Sequence, residues 1–420
     1  MAEVKAFRCV RPNPDAVREV AALPYDVYDR AEARAAVQGH PLSFLNIDRP
    51  ETQFDESCDM YADAVYQKAR EMLEEELHDG VFLEDEKPAF FVYEQTVESG
   101  VLADCMPGHS QTGIVGCSSV DDYLQGVVRK HENTREEKER DRIRHVDSLS
   151  AQTGPIFLSY RSNDRLKELM ETAKRQAPLY DFDSDDGIRH RVWKIDDAAR
   201  VEEISTAFAA LPASYIADGH HRAASAVKVA LKHRAEHPDY NGSEEFNYFL
   251  SVLFPDDALE ILPYNRVVSD LGALSAEDFL LEVDAAFSIR DCGETAVHPE
   301  RKGVIGMYLD HHWYELTARE ELRPEDPVES LDVAFLQNTI LAPVLNIEDP
   351  RTSERIRFIG GIRGTEELER LVNEGAAVAF SMYPTQMEEL LQVADAGRLM
   401  PPKSTWFEPK LRSGIFIHRI

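Results

Sequence analysis

Cations are scarce in this chain. Its 420 residues carry 46 Lys and Arg against 77 Asp and Glu, a formal net charge of −31. A surface of that sign repels a phosphate backbone, which argues against non-specific nucleic-acid binding and against docking on an anionic membrane. Long apolar runs are missing too: nothing approaches about eighteen uninterrupted apolar residues, so no membrane span is expected. Residues 1–18 (MAEVKAFRCVRPNPDAVR) have no apolar core of the kind a signal peptide needs. Cysteine is sparse, and Cys9, Cys58, Cys105, Cys117 and Cys292 form no C-x-x-C pair. That usage fits reduced thiols in a cytoplasmic protein and offers no zinc signature. The sequence also lacks G-x-x-x-x-G-K-[ST], G-x-G-x-x-G and G-x-S-x-G, so P-loop, Rossmann and common hydrolase sites find no support.

What remains is a core-forming composition, 43% hydrophobic and 9% aromatic, in a chain long enough for two or three packed units. Short β-rich runs interleave with charged helical stretches, which predicts a mixed α/β fold. Residues 89–94 (AFFVYE), 113–117 (GIVGC) and 155–160 (PIFLSY) read as strands. In residues 121–149 the opening acidic pair suits an N-cap, and Thr134 with Glu137 matches a capping box for a second helix starting near Arg135. That helix has almost no apolar stripe, so it is either solvated or lines a charged site. Further on, a strand (191–195), a helix (198–210) and a short strand (214–217) lead into a turn and a helix reaching about residue 233, with Ala224, Val227 and Leu231 on one face. Residues 246–254 and 258–268 read as strands joined by the turn at Pro255, and 303–317 as a hairpin turning at residues 310–312. Residues 323–330 (RPEDPVES) are the best linker candidate, and helices, a strand and an extended proline-rich tail follow. The expected segments are therefore 1–165, 166–322 and 323–420.

The strongest chemical signal is residues 216–223, IADGHHRA. A strand ends, Gly219 permits a sharp turn, and a helix starts with its free N–H groups aimed at the turn. Such a terminus binds anions, and His220, His221 and Arg222 add donors for a phosphate or carboxylate. Asp218 is a poor anion ligand there but suits a general base or a magnesium ligand. The plainer alternative is that Asp218 caps the helix and the histidines are incidental. Zinc is disfavoured, since adjacent helical histidines point about 100° apart.

A second cluster, Lys130, His131 and Glu132 within RKHENT, precedes the charged helix. Glu132 suits a base or metal ligand and Lys130 or His131 a phosphate contact, with a solvated loop as the alternative. Arg140, Arg142, Arg144 and His145 follow among acidic neighbours, as salt-bridged surfaces do. Lys403, Ser404 and Thr405 could contact phosphate or form a rigid turn, and Arg266 could enter a cleft or only an ion pair. Residues 24–26 (PYD) read as a helix-starting turn.

Over nearly its whole length the chain resembles the bacterial and archaeal family catalogued as domain of unknown function 1015. The blocks that carry the resemblance are PYDV (24–27), HPLSFLNIDRPE (40–51), KHENT (130–134), QTGPIFLSYR (152–161), YIADGHHRAASA (215–226), YNRVV (264–268) and MPPKSTWFEPK (400–410). The unit around the DGHHR turn also resembles the core of the ParB and sulfiredoxin superfamily, in which a histidine and an arginine at that turn hold nucleotide phosphates. Free-serine kinases of that superfamily have a similar turn whose aspartate lies by the substrate hydroxyl, with a separate glutamate completing the site. Family members are also encoded beside phosphoglycerate dehydrogenase and phosphoserine aminotransferase, enzymes that end at phosphoserine.

The resemblance thus implies a phosphotransferase interconverting serine and phosphoserine with ATP/ADP or another donor. Asp218 would take the hydroxyl proton, Gly219, His220, His221 and Arg222 would hold the phosphoryl group, and Glu132 would assist as second carboxylate. Mg²⁺ would sit on Glu132 and Asp218, while Lys130, His131, Arg266, Lys403, Ser404 and Thr405 would add phosphate contacts, the tail folding back over the cleft. A phosphoserine phosphatase and a non-catalytic ParB-like nucleotide-binding regulator are the alternatives, and a homodimer is compatible with each. A carboxylate facing a phosphate costs affinity in a pure binding site, which favours chemistry.

Overall fold

The β-branched and aromatic runs of the first 259 residues assemble into one mixed sheet. In chain order its strands are β1 (Val4–Lys5), β2 (Phe90–Val97), β3 (Ser110–Ser119), β4 (Val128–Arg129), β5 (Ile156–Tyr160), β6 (Tyr180–Asp183), β7 (Ile188–Ile195), β8 (Ser214–Asp218) and β9 (Tyr248–Pro255). They lie side by side as β4-β8-β5-β9-β3-β2-β7-β6, with β1 added against β3. The coordinates are a computed structural model that describes every residue except Arg135.

Helices α1 (Glu136–Leu149) and α3 (His220–Glu236) pack together beside the DGHHR turn, and α2 (Ala198–Ala209) precedes β8 in the chain. Phe90, Ile114, Leu158, Ile216 and Phe249 of the sheet share one core with Phe208 of α2 and with Ala223, Ala226, Val227 and Ala230 of α3. The buried stripe of α3 is built from small residues that let the helix lie close to the sheet, and Leu231, expected on that face, is 43% exposed. The acidic pair at residues 121–122 does not cap its helix. Ser119 does, accepting from the N–H groups of Asp121 and Asp122, and the pair instead fills the first turn of Val120–Gln125, where the helix dipole favours negative charge. The start of α1 expected at Arg135 lies outside the described residues.

A small sheet orders Phe82–Glu84, Cys9–Pro12, Ile417–Arg419 and Ala151–Gln152. Cys9 pairs with His418, and His418 with Gln152, so the last strand of the chain is held between two early ones. The chain accordingly divides into one unit of Met1–Leu259 with Pro409–Ile420 and a second of Glu260–Glu408. This differs from the segments 1–165, 166–322 and 323–420 expected from sequence. The reason is β5, which lies between β8 and β9 and so ties both sides of residue 165 into one sheet.

The second unit holds β10 (Tyr264–Val268), β11 (Phe287–Gly293), β12 (Val304–Leu309), β13 (His312–Ala318), β14 (Ile356–Gly360) and β15 (Val378–Met382), ordered β11-β13-β12-β15-β10-β14. The expected hairpin is β12–β13, closed by Asp310 and His311 at φ 48° and 63°. Residues 323–330 are not a linker between units: Asp326 accepts the N–H groups of Val328 and Glu329, and Arg323 pairs with Asp332 at 3.4 Å, all within this unit. The runs 246–254 and 258–268 do not pair either, since β9 and β10 belong to different sheets. No helix among the described residues is long and apolar enough to cross a membrane.

Candidate functional site

β4 and β8 run parallel, with Val128 opposite Ser214 and Arg129 opposite Tyr215. Their ends therefore lie side by side, and the segments leaving them, residues 130–134 and 219–222, come together. Against β5 the register of β8 shifts between Ile216 and Asp218, a bulge that re-aims the side chain after it. Gly219 then turns the chain at φ 90°, ψ 30° into the 17-residue helix α3. A Cβ at Gly219 would sit 3.1 Å from Arg222 Nε and 3.2 Å from its terminal nitrogen, so the guanidinium lies against a bare Cα. Gly219→Ala is expected to lower the unfolding free energy by about 1–3 kcal/mol, read by urea titration, and an unchanged midpoint would refute the strain.

The first helical bond of α3 runs from Ala223 N–H to the Gly219 carbonyl at 2.9 Å, so the N–H groups of residues 220–222 stand outside the helical ladder. Asp218 lies beside them. Its Oδ1 accepts the Gly219 N–H at 2.8 Å, its Oδ2 accepts from Lys410 Nζ at 3.0 Å, and an Arg222 terminal nitrogen is 4.0 Å away. Burial works against the Asp218 charge, but the Lys410 ammonium and the Arg222 guanidinium outweigh it and hold the carboxyl well below the usual carboxylate range. Asp218 is therefore not a helix cap; it is one half of an ion pair.

Lys410 is the site residue that sequence reasoning missed. Gln95 Nε2 donates to its carbonyl at 2.9 Å and Gln111 Nε2 to the Pro409 carbonyl at 3.1 Å, while Ser413 bridges to Ala22. With Ile417–Arg419 in the small sheet, these bonds fix the returning tail. The only sequence cue was its place as the last residue of the MPPKSTWFEPK block.

His220 is buried, its Nε2 accepting the His131 N–H at 3.4 Å, which leaves the ring hydrogen on Nδ1. That Nδ1 lies 3.7 Å from Glu132 Oε2, and the His131 ring stands edge-on to His220 at 4.6 Å. Burial lowers both imidazoles, His220 well below its ordinary value with the His131 ring adding to the effect, and His131 to about 4 despite the Asp218 charge. Both rings are held neutral at pH 7, so the site offers imidazole hydrogen-bond donors and acceptors, not imidazolium cations. His221 is partly exposed on the next position of the helix, and Lys130 is exposed with its ammonium 5.3 Å from the Tyr123 ring. Arg222 donates to the Pro155 carbonyl at 2.7 Å, and its Nε and His131 Nδ1 are buried without a hydrogen-bond partner.

The His131 shift has a sign that can be checked. Its folded pKa lies below the unfolded value of about 6.5, so there is no penalty above that pH. As pH falls towards 4 the unfolded chain takes a proton that the folded site refuses, and stability is lost. Relative to His131→Gln, the wild-type protein should lose up to about 3 kcal/mol more between pH 7 and pH 4. Parallel stability curves for the two would refute the shift.

The structure brings Asp218, Gly219, His220, Arg222, His131 and Glu132 together with Lys410. It places Arg266, Lys403, Ser404 and Thr405 in the second unit. There Arg266 is buried and donates to the Lys403 carbonyl at 3.1 Å, Lys403 Nζ meets the Tyr264 hydroxyl at 3.4 Å, and Ser404 Oγ donates to the Pro401 carbonyl at 2.6 Å. Those bonds make residues 401–404 a braced turn. Among α1 residues, Arg140 and Arg144 pair with Glu136 and Asp63 as surface charges do, whereas Arg142 and His145 are buried. No group of three or more His, Cys, Asp and Glu side chains among the described residues could hold a metal ion. Asp218 fits poorly as a magnesium ligand, because the Lys410 ammonium at 3.0 Å and the Arg222 guanidinium at 4.0 Å would repel a second cation there.

No curated protein matches the chain. Among solved structures it is similar to a mutant free serine kinase in complex with ADP, at 11% identity and a TM-score of 0.35, covering 72% of this chain and 92% of that one. It is also similar to a C-terminally truncated SbnI from Staphylococcus aureus, at 10% identity and a TM-score of 0.37, covering 70% and 82%. A conserved hypothetical protein from Pyrococcus furiosus gives 10% identity and a TM-score of 0.34 over 72% and 94%. Residues 4–334, which include both the KHENT loop and the DGHHR turn, match the family described as "Protein of unknown function (DUF1015)", and the chain belongs to that family.

Proposed function

We propose that the protein is a phosphotransferase that moves a phosphoryl group between a nucleotide and the hydroxyl of serine. The observation that supports this most directly is the ion pair at the start of α3, with Asp218 Oδ2 3.0 Å from Lys410 Nζ and 4.0 Å from Arg222. A purely binding site for phosphate gains nothing from a carboxylate at its centre. A transfer site needs one, because the attacking hydroxyl must be oriented and must lose its proton.

In the forward direction serine Oγ hydrogen-bonds to Asp218 and attacks the terminal phosphorus of the nucleotide. The Oγ–P bond forms, the bond from phosphorus to the leaving diphosphate oxygen breaks, and the Oγ proton passes to the Asp218 carboxylate. Lys410, Arg222 and the N–H groups of residues 220–222 take up charge on the transferred group, the positioning and neutralisation on which such transfers depend. Neutral His220 donates through Nδ1, and Glu132 on its far side is the second carboxylate. Magnesium would arrive with the nucleotide phosphates and supply further charge neutralisation.

Phosphorus NMR of the protein with phosphoserine, Mg²⁺ and ADP tests the proposal. ATP should appear, and should fail to appear when ADP is left out. Free phosphate without ADP would replace the reading with a phosphatase, and silence in both samples would replace it with a binding protein.

A further inference from the structure

The turn at residues 24–27, which the proposed chemistry leaves unused, borders a cavity of about 210 Å³ in the first unit. Tyr25–Val27 is a single 3-10 turn after Pro24. Facing it are helix Asp63–His78 and α1, which contribute Tyr66 and Lys138, and the loop carrying Met60 and Tyr61.

Most charges around this cavity are already matched. Arg49 Nε donates to Glu51 at 2.6 Å, and its terminal nitrogen donates to the carbonyls of Tyr25 and Tyr28 at 3.0 and 2.8 Å. Arg142 grips Asp141 at 2.7 and 2.8 Å and lies 4.0 Å above the Tyr25 ring, and the Tyr66 hydroxyl donates to the other Asp141 oxygen at 2.7 Å. Two charged groups are left over. Asp26 and Lys138, both exposed and both lining the cavity, make no ion pair or hydrogen bond with another described residue. One carboxylate and one ammonium without an ion-pair or hydrogen-bond partner, in an aromatic-walled space smaller than the about 300–1,000 Å³ of drug-sized sites, complement a small ligand carrying one charge of each sign. The cavity also adjoins the transfer site. Tyr25 and Arg142 line a second small cavity together with Arg222, and Asp26 and Asp218 both bear on the Arg222 charge.

We propose that this cavity binds the zwitterionic end of a small α-amino acid, with Asp26 receiving its ammonium and Lys138 its carboxylate. The inference deepens the proposed function by placing the amino-acid moiety of the substrate, yet binding can be measured with no phosphoryl donor present.

Titration calorimetry of nucleotide-free protein with L-serine, ethanolamine and 3-hydroxypropionate separates the two charges. L-serine should bind saturably, and each analogue, lacking one charge, at least tenfold more weakly. Asp26→Asn should bind L-serine at least tenfold more weakly while losing most of the discrimination against 3-hydroxypropionate. Lys138→Met should do the same for ethanolamine. Circular dichroism on these surface variants shows whether the fold is retained. No binding of L-serine, analogues as tight as serine, or variants with wild-type affinity would each overturn the pocket. If transfer to serine is observed but neither variant raises the serine KM, the pocket falls and the phosphotransferase stands. If charge-dependent binding is seen with no transfer from any nucleotide, the pocket stands and the phosphotransferase falls.

Discussion

Asp218→Asn is expected to reduce turnover by at least about 10³-fold, within the range that proton transfer and preorganised charge jointly supply. The amide keeps the shape of the side chain and can still meet the Gly219 N–H through its oxygen, but it cannot take the hydroxyl proton. It also leaves Lys410, 3.0 Å away, and Arg222, 4.0 Å away, without their counter-charge. Some stability should be lost with it, on the order of 1–3 kcal/mol for a partly buried pair left half made. The separation of the two effects is the informative part. Nucleotide affinity, measured by calorimetry, should hold or tighten because a negative charge has left the phosphate site, while kcat collapses. Glu132→Gln should cost less, since Glu132 is 48% exposed and stands behind His220, 3.7 Å from its ring nitrogen. Turnover within tenfold of wild type in Asp218→Asn would remove Asp218 from the chemistry, and a large loss in Glu132→Gln would then make Glu132 the base.

The local half of this site was legible in the sequence. A strand, a glycine and a helix at residues 214–236 follow from pattern alone, because turn chemistry and helical periodicity are short-range. The polar character of α1 left open whether the helix was solvated or lined a charged site, and Arg142 and His145 read as salt-bridged surface; both are buried, as is Glu139. What could not be read were pairings between distant segments. Glu132 meets His220 because β4 and β8 are parallel neighbours, a contact set by sheet register across more than eighty residues of chain. Lys410 meets Asp218 because the last strand returns to pair with Cys9–Pro12. Composition marked residues 400–410 as extended and proline-rich, and chemistry drew attention to the lysine next to two hydroxyls. The hydroxyl of Ser404 is spent on the Pro401 carbonyl, and the lysine at the other end of the same block is the one that enters the site. Domain limits failed for the same reason, since a discontinuous unit leaves no compositional mark where the chain departs and comes back.

That returning lysine makes a prediction about pH that no loss of activity alone would test. Burial is the largest influence on the Asp218 carboxyl and raises its pKa; Lys410 is the first of the charges that reverse the outcome, ahead of Arg222. Removing the ammonium in Lys410→Met therefore leaves burial opposed only by Arg222 and the Gly219 N–H, and the Asp218 pKa should rise by about 1–3 units. In the wild-type protein the Asp218 carboxyl is held well below the usual carboxylate range, so under the proposed chemistry its titration adds no acid limb near neutrality. In the variant the carboxyl begins to protonate as pH falls, the base is lost, and an acid limb should appear or move upward in the profile of kcat against pH. At pH 7 the variant should already be slower by about 10²-fold, since a preorganised cation has gone from the proposed phosphoryl site, and the deficit should widen only as pH is lowered below about 5, into the ordinary carboxylate range. Lys410→Arg restores the charge and should return the limb towards its original place even if the rate recovers only in part. A Lys410→Met profile that is lower but parallel to wild type would mean that Lys410 binds phosphate without tuning Asp218. A profile unchanged in both height and shape would take the tail out of the site altogether.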